Sequence, residues 1–280
     1  MNLLIDHVTV CGSNLEEMRQ DFADGGLHTN YGGRHANGVT HMDLLTFTDG
    51  SYVELIAPAS SVGGGAGMIS GWSRLMENNA GAGAWAVRTD DIHGDAASLR
   101  DKGIEVRGPE AGSRERPDGA KLEWEIAIVG SGPAGGVLPF LIEDASPRAL
   151  RVPSPAQPSE IEGVAAVIIA VHDLKPAVAL FRRAYDFHEP RLEDHSEFGA
   201  TIAHFSGTPV MLAAPNEENT WLDKRSARFG ECPAAFLLKT VDLSRAMRQF
   251  GLKHRASWFS RDIAWFDPGP LGGARLGVIG

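Results

Sequence analysis

A glycine pattern offers the first chemistry. In "IAIVGSGPAGGVLPF", residues 126–140, an apolar run enters Gly130-Ser131-Gly132-Pro133-Ala134-Gly135, and G-x-G-x-x-G after a strand is the spacing that lets a backbone approach a pyrophosphate. That chemistry also requires a helix opening at the glycines and an acidic residue about 20 positions further on. Pro139 would break such a helix in its first turns, and the chain around Leu150 leads into the proline-rich "RVPSPAQPSE". The residues predict a hairpin instead, with strands Leu122–Val129 and Val137–Ile142 about a glycine-rich turn, and no NAD or FAD. A second glycine-rich run, "SVGGGAGMISG" at 61–71, lacks the Lys-Ser/Thr of a P-loop and reads as a flexible joint.

Other polar residues stand where a substrate would need them. "GGRH" sets Arg34 and His35 after a flexible Gly32-Gly33 turn, from which a cation can be aimed at a carboxylate or carbonyl. His41 and Asp43 share one face of a strand by i, i+2 alternation, so both line a site or neither does. In "RPDGAKLEW", Pro117-Asp118-Gly119 is a turn signature, with Trp124 on the strand that follows.

The elements behind these residues come from an ordinary globular composition: 280 residues, 43% hydrophobic and 22% charged. The net charge of -10 and the absence of a Lys/Arg run argue against nucleic acid as a partner. Cys11 and Cys232 are too few for a disulfide framework and suit a reducing, cytoplasmic setting. "MNLLIDHVTV" meets Asp6 and His7 after three apolar residues, which predicts a strand and neither a signal peptide nor a membrane span.

Residues 3–11 alternate as a strand, Asn14 caps a helix to Asp24, and strands follow near His28–Gly32, Val39–Phe47 and Ser51–Ile56. The order recurs from Ala84, with a helix in "DIHGDAASLRDKG", the short strand "IEVRG" and the hairpin above. It returns after the proline-rich stretch in "VAAVIIAVHDL" and "KPAVALFRRAYDF", and again from "AAFLLKTVDL". Four βαβββ units in two pairs are expected, an α+β chain divided as 1–147, a linker at 148–160, and 161–280.

"DHVTVCGSNLEEM", "GGRHANGVTHMDLLTFTDGSYVELIAP", "RERPDGAKLEWEIAI" and "LPFLIED" together resemble the vicinal oxygen chelate superfamily, in particular its glyoxalase-like branch. The resemblance covers roughly residues 3–145. It implies paired βαβββ modules curled into open barrels around a small-molecule cup, in which one divalent metal is often held. It also implies chemistry of the glyoxalase, epimerase, dioxygenase or drug-resistance kind, commonly through a chelated enolate or alkoxide.

In that superfamily the ligands lie on the first and fourth strands of each module, which points here to His7 and Glu54. Alternation then puts His7 and Thr9, with Tyr52 and Glu54, toward the cup, and Val8, Val10, Val53 and Leu55 toward the packed helices. An imidazole and a carboxylate suit zinc, iron, manganese or nickel, or alternatively serve as acid and base in a metal-free cup. The matching positions of the second module are Trp85 and Phe140, which hold no metal. With Trp124 they make an aromatic wall suited to a flat or hydrophobic substrate. In 161–280 the equivalent positions are Ala166, Met211, Ala235 and Leu276, so that half reads as a structural duplicate. The expected activity is lyase, isomerase or dioxygenase-like, with His7, Glu54 and His41 as catalytic candidates and His35, Arg34, Asp43, Trp85, Trp124 and Phe140 around a small-molecule substrate. The alternative is a non-catalytic, bleomycin-resistance-type binding protein. A homodimer is expected.

Overall fold

The computed structural model describes residues 3–36, 38–59, 71–155 and 157–280, so most of the glycine-rich joint at 61–71 lies outside the described residues. The first half runs β1 (Leu4–Cys11), α1 (Leu15–Asp24), β2 (Asn30–His35), β3 (Thr40–Thr46), β4 (Tyr52–Pro58), a short α2 (Ser73–Glu77), β5 (Gly81–Arg88), α3 (Ile92–Asp101), β6 (Val106–Glu115), β7 (Lys121–Val129) and β8 (Phe140–Asp144). After α4 (Arg148–Arg151) come β9 (Ile161–Ala170), α5 (Leu174–Tyr185), β10 (Arg191–His195), β11 (Ala200–His204), β12 (Val210–Pro215), α6 (Trp221–Phe229), β13 (Cys232–Thr240), α7 (Leu243–Phe250), β14 (His254–Trp258), β15 (Arg261–Trp265) and β16 (Leu276–Ile279).

Local signals account for the helix-on-strand pattern. The Asn14 side chain accepts from the backbone N–H groups of Glu16 at 3.1 Å and Glu17 at 3.3 Å, which starts α1. Leu15, Met18 and Phe22 then fall on one buried face and join Val8, Val10, Val53 and Leu55 in the core between helices and sheet. The opposite faces of β1 and β4 are left for His7, Thr9, Tyr52 and Glu54.

The strands of the first half form a closed barrel in the order β1-β4-β3-β2-β6-β7-β8-β5. Closure depends on a brief antiparallel contact of β2 with β6, where Arg34 opposes Glu115 and His35 opposes Arg114. The expected Gly32-Gly33 turn is part of β2 itself, bulged between Tyr31 and Gly33. A Cβ on Gly33, at φ 111°, would lie 2.3 Å from the Glu115 carbonyl oxygen, so glycine here allows the ring to close.

The second half is a sheet in the order β10-β11-β12-β9-β13-β16-β15-β14 and stays open between its end strands. Its inner face is filled by side chains such as Ile168, Ala170, Met211, Ala213, Leu237 and Trp258. A single apolar core runs between the two halves. The half-buried Arg225 of α6 bridges them, donating to the carbonyls of Ala80 and Ala82 in the first half and of Pro233 in the second.

The glycines at 130–136 turn the hairpin between β7 and β8, which pair antiparallel from Trp124–Asp144 to Ala127–Leu141. Gly135, at φ 65°, presses on β5: its carbonyl accepts from Trp85 N–H at 3.1 Å, and a Cβ there would come within 2.6 Å of the Trp85 backbone. Close backbone packing explains the motif. Among the described residues no helix is long and apolar enough to cross a membrane.

Candidate functional site

A bulge in β1 shapes the site. The pairing with β5 slips between Ile5 and His7, which breaks strict alternation and lets two consecutive polar side chains, Asp6 and His7, meet. His7 Nδ1 lies 2.6 Å from Asp6 Oδ1, and both residues are buried. Burial would raise the Asp6 carboxyl, but Arg151, the His7 hydrogen bond and Arg148 together hold it well below the usual carboxylate range. An ionised Asp6 requires the proton on His7 Nδ1, so a neutral His7 presents its Nε2 lone pair to the cavity.

Glu54, on the parallel neighbour β4, stands 3.9 Å from that Nε2 through Oε2 and accepts from the Thr9 hydroxyl at 3.1 Å. From β2, His35 Nε2 stands 3.8 Å from the other carboxylate oxygen, Oε1, while its Nδ1 is tied to Thr40 Oγ1 at 2.8 Å. Burial pushes the His35 imidazole below its ordinary pKa, overcoming the pull of Glu54, so it is neutral near pH 7. Separations of 3.8–3.9 Å exceed a direct hydrogen bond. They leave the carboxylate and both imidazoles facing one small space.

Packing holds the His7 ring. It stacks on Tyr52 at 4.7 Å and meets the edge of Phe140 at 5.4 Å. The Tyr52 hydroxyl accepts from Arg151 at 3.0 Å, and burial pushes its pKa up. The cavity, ≈ 30 Å³, is completed by the apolar side chains of Met42, Trp72, Trp124, Ile126 and Ile142 and by the guanidinium groups of Arg114 and Arg151.

Arg151 comes from the stretch expected to be a linker. On the single turn of α4 it donates to Asp6 at 2.6 and 3.1 Å and to Asp144, and Arg148 reaches Asp6 and the Gly50 carbonyl. Residues 148–151 therefore cap the polar end of the barrel.

Of the residues singled out by sequence, the structure brings together His7, Glu54, His35, Trp124 and Phe140. Four others stand elsewhere. Met42 and Leu44 oppose Ile56 and Glu54 on β4, so His41 and Asp43 point outward together. His41 meets the edge of Tyr31, and Asp43 is held by Arg19 at 2.6 and 2.8 Å and by the Thr29 hydroxyl at 2.8 Å. Arg34 is exposed. Trp85 is one residue out of phase: Ala84 and Ala86 face inward, and Trp85 packs in the helix-side core with Nε1 on the Val137 carbonyl at 3.3 Å. Asp6, Arg114 and Arg151 were not foreseen. A charged residue inside an apolar strand, as in "LLIDHVTV", is the one local signal that marks Asp6.

The nearest donors for a divalent metal are His7, His35 and Glu54. The imidazoles face different oxygens of Glu54, and the remaining inward positions on β5 and β8 are Ala84, Ala86, Phe140 and Ile142. Among the described residues no three His, Cys, Asp or Glu side chains are grouped so as to hold a metal. Arg114 places positive charge in the wall, which opposes a dication. As arranged here, the three side chains do not converge on one metal position.

A family model described as a glyoxalase-like domain matches residues 5–185. A crystal structure of a hypothetical protein from Staphylococcus aureus is similar over 99% of this chain and 98% of its own, with 14% identity and a TM-score of 0.66. Methylmalonyl-CoA epimerase from Mycobacterium tuberculosis matches 44% of this chain over 90% of its own, with 20% identity and a TM-score of 0.38. No curated protein matches the chain.

Proposed function

The chain belongs to the glyoxalase-like domain family of the vicinal oxygen chelate superfamily, and from that premise we propose that the cup of its first barrel catalyses proton transfer beside the carbonyl of a small oxygenated compound. The observation that carries this reading is the Asp6–His7 pair aimed at Glu54. His7 Nε2 takes a proton from the carbon next to the carbonyl, and Asp6 steadies the imidazolium that forms. Glu54, 3.9 Å from the same nitrogen and with His35 beside it, relays the proton to and from His7 along one side of the bound molecule. Net isomerisation follows when the proton comes back to a different atom. Met42, Trp124 and Phe140 exclude water from the same space. We assign the chemistry to residues 1–147 and treat 148–160 as the joint, of which 148–151 close the barrel's polar end. Residues 161–280 serve as a supporting half, in keeping with the filled inner face of the second sheet.

The test is deuterium incorporation in D2O, followed by NMR, across a panel of dicarbonyls, hydroxyketones and lactones, with turnover of catechols measured alongside. His7→Gln and Glu54→Gln should each slow exchange about 100-fold or more; His41→Ala should leave it unchanged. Ligand binding that survives both site substitutions, with no exchange or turnover in the parent protein, would replace this reading with the sequestering one.

A further inference from the structure

The two arginines of the cavity differ in one respect. Arg151 is matched to carboxylates, with Asp6 and Asp144 both in contact. Arg114, only 4% exposed, donates to two backbone carbonyls, of Gly32 and, at 2.8 Å, of Arg151. Among the described residues no Asp or Glu oxygen lies within ion-pair distance of its guanidinium; the cavity carboxylate, Glu54, is engaged by Thr9 and flanked by the two imidazoles. A buried cation with no counter-ion in contact is costly, far more so than a buried matched pair. Its position also bears on the chemistry, because Arg114 opposes His35 across the β2–β6 contact and shares the cavity with His7 and Glu54.

We infer that Arg114 is the anion anchor of the cup, and that the substrate class is a short α-oxo carboxylate or an equivalent small acid whose carboxylate, or whose enolate oxygen once formed, completes this unpaired guanidinium. The cavity, ≈ 30 Å³, has room for little more than the acid group itself, beside the apolar side chains of Met42, Trp124 and Phe140. An arginine meets a carboxylate through two parallel N–H donors, which fixes the plane of the acid and so the face presented to His7. This inference rests on the cup being the reacting site.

Pyruvate and its uncharged amide, pyruvamide, have nearly the same size and separate charge from shape. In calorimetric titration of the full chain, pyruvate should bind more tightly than pyruvamide by about tenfold or more, and Arg114→Gln should weaken pyruvate by about 10- to 100-fold without weakening pyruvamide. Arg114→Lys, which keeps the charge and loses the fork, should restore part of the pyruvate affinity. The anchor is overturned if the parent protein binds pyruvamide as well as pyruvate, if it does not bind pyruvate at millimolar concentration, or if Arg114→Gln binds pyruvate as the parent does. Should Arg114→Gln not fold, the pyruvate–pyruvamide comparison on the parent protein decides. Failure of the proton-transfer reading would look different: charge-selective, Arg114-dependent binding with no hydrogen exchange at the pyruvate methyl group.

Discussion

Asp6→Asn isolates the electrostatic knot beneath His7. The native carboxylate is wholly buried and accepts from Arg151 at 2.6 and 3.1 Å, from Arg148, and from His7 at 2.6 Å. Asparagine keeps the volume, removes the negative charge and turns an amide NH2 toward guanidinium donors. Breaking a buried ion pair by removing one partner costs about 3–5 kcal/mol. At about 2–4 °C per kcal/mol for a chain approaching this size, the unfolding midpoint should drop by roughly 6–20 °C. The pH profile has a definite sign. Because the folded-state pKa is depressed, the contribution is present above the unfolded value of about 3.9 and is lost as pH falls toward the lower folded value. The parent protein should therefore lose stability in acid from about pH 4 downward, and the Asn variant should lack that share of the loss. Thermal melts read the first effect, and urea unfolding across pH, followed by tryptophan fluorescence, reads the second. Arg151→Met should be destabilising alone, yet cost less on top of Asp6→Asn than by itself, with a coupling of about 0.5–3 kcal/mol. A single Asn variant that melts within about 2 °C of the parent would refute the reasoning.

Three further outcomes are expected. Gly135→Ala should destabilise by about 1–3 kcal/mol, because the residue sits at positive φ against the Trp85 backbone; Gly132→Ala, with open space around it, should change stability by less than about 0.5 kcal/mol, and thermal melts compare them. His35 has a folded pKa depressed by burial, so its contribution is complete above about pH 6.5 and declines as pH falls toward the folded value; His35→Gln should flatten that part of a urea-unfolding series across pH. Arg225→Met strands the buried carbonyls of Ala80, Ala82 and Pro233 and should cost about 1–3 kcal/mol or more, with Arg225→Lys failing to restore it because one ammonium cannot reproduce the guanidinium's spread of donors.

The βαβββ repeat was legible because its signals are local: Asn14 as a cap, Leu15, Met18 and Phe22 on one helix face, and alternation along β1 and β4 that turns Thr9 and Glu54 inward. Phase was less legible. "THMDLLT" alternates acceptably with either set of residues inward, and the pairing of Leu44 with Glu54 decides for Met42 and Leu44 over His41 and Asp43. As the second module's counterpart of His7, Trp85 is expected to face inward, yet β5 has Ala84 and Ala86 facing the cup. Asp6 was hidden by the bulge, since a period of two predicts that residues 6 and 7 face apart. Arg151 was hidden by composition: a proline-rich stretch looks like a spacer, and that one of its arginines meets Asp6, 145 positions earlier, depends on tertiary structure alone.

The narrow contact that closes the first barrel gives it a clasp. Two residue pairs and the bond from Ala36 N–H to the Ser113 carbonyl hold β2 to β6, while β6 and β7 or β3 and β4 are zipped along most of their length. A ring opens where it is least stitched, so amide exchange at residues 34–36 and 113–115 should be faster than in the neighbouring strands and should slow when a ligand fills the cup. His35 is on one side of this clasp and Arg114 on the other. A molecule gripped by both becomes a rivet through the joint, and its binding energy is spent partly on keeping the barrel shut.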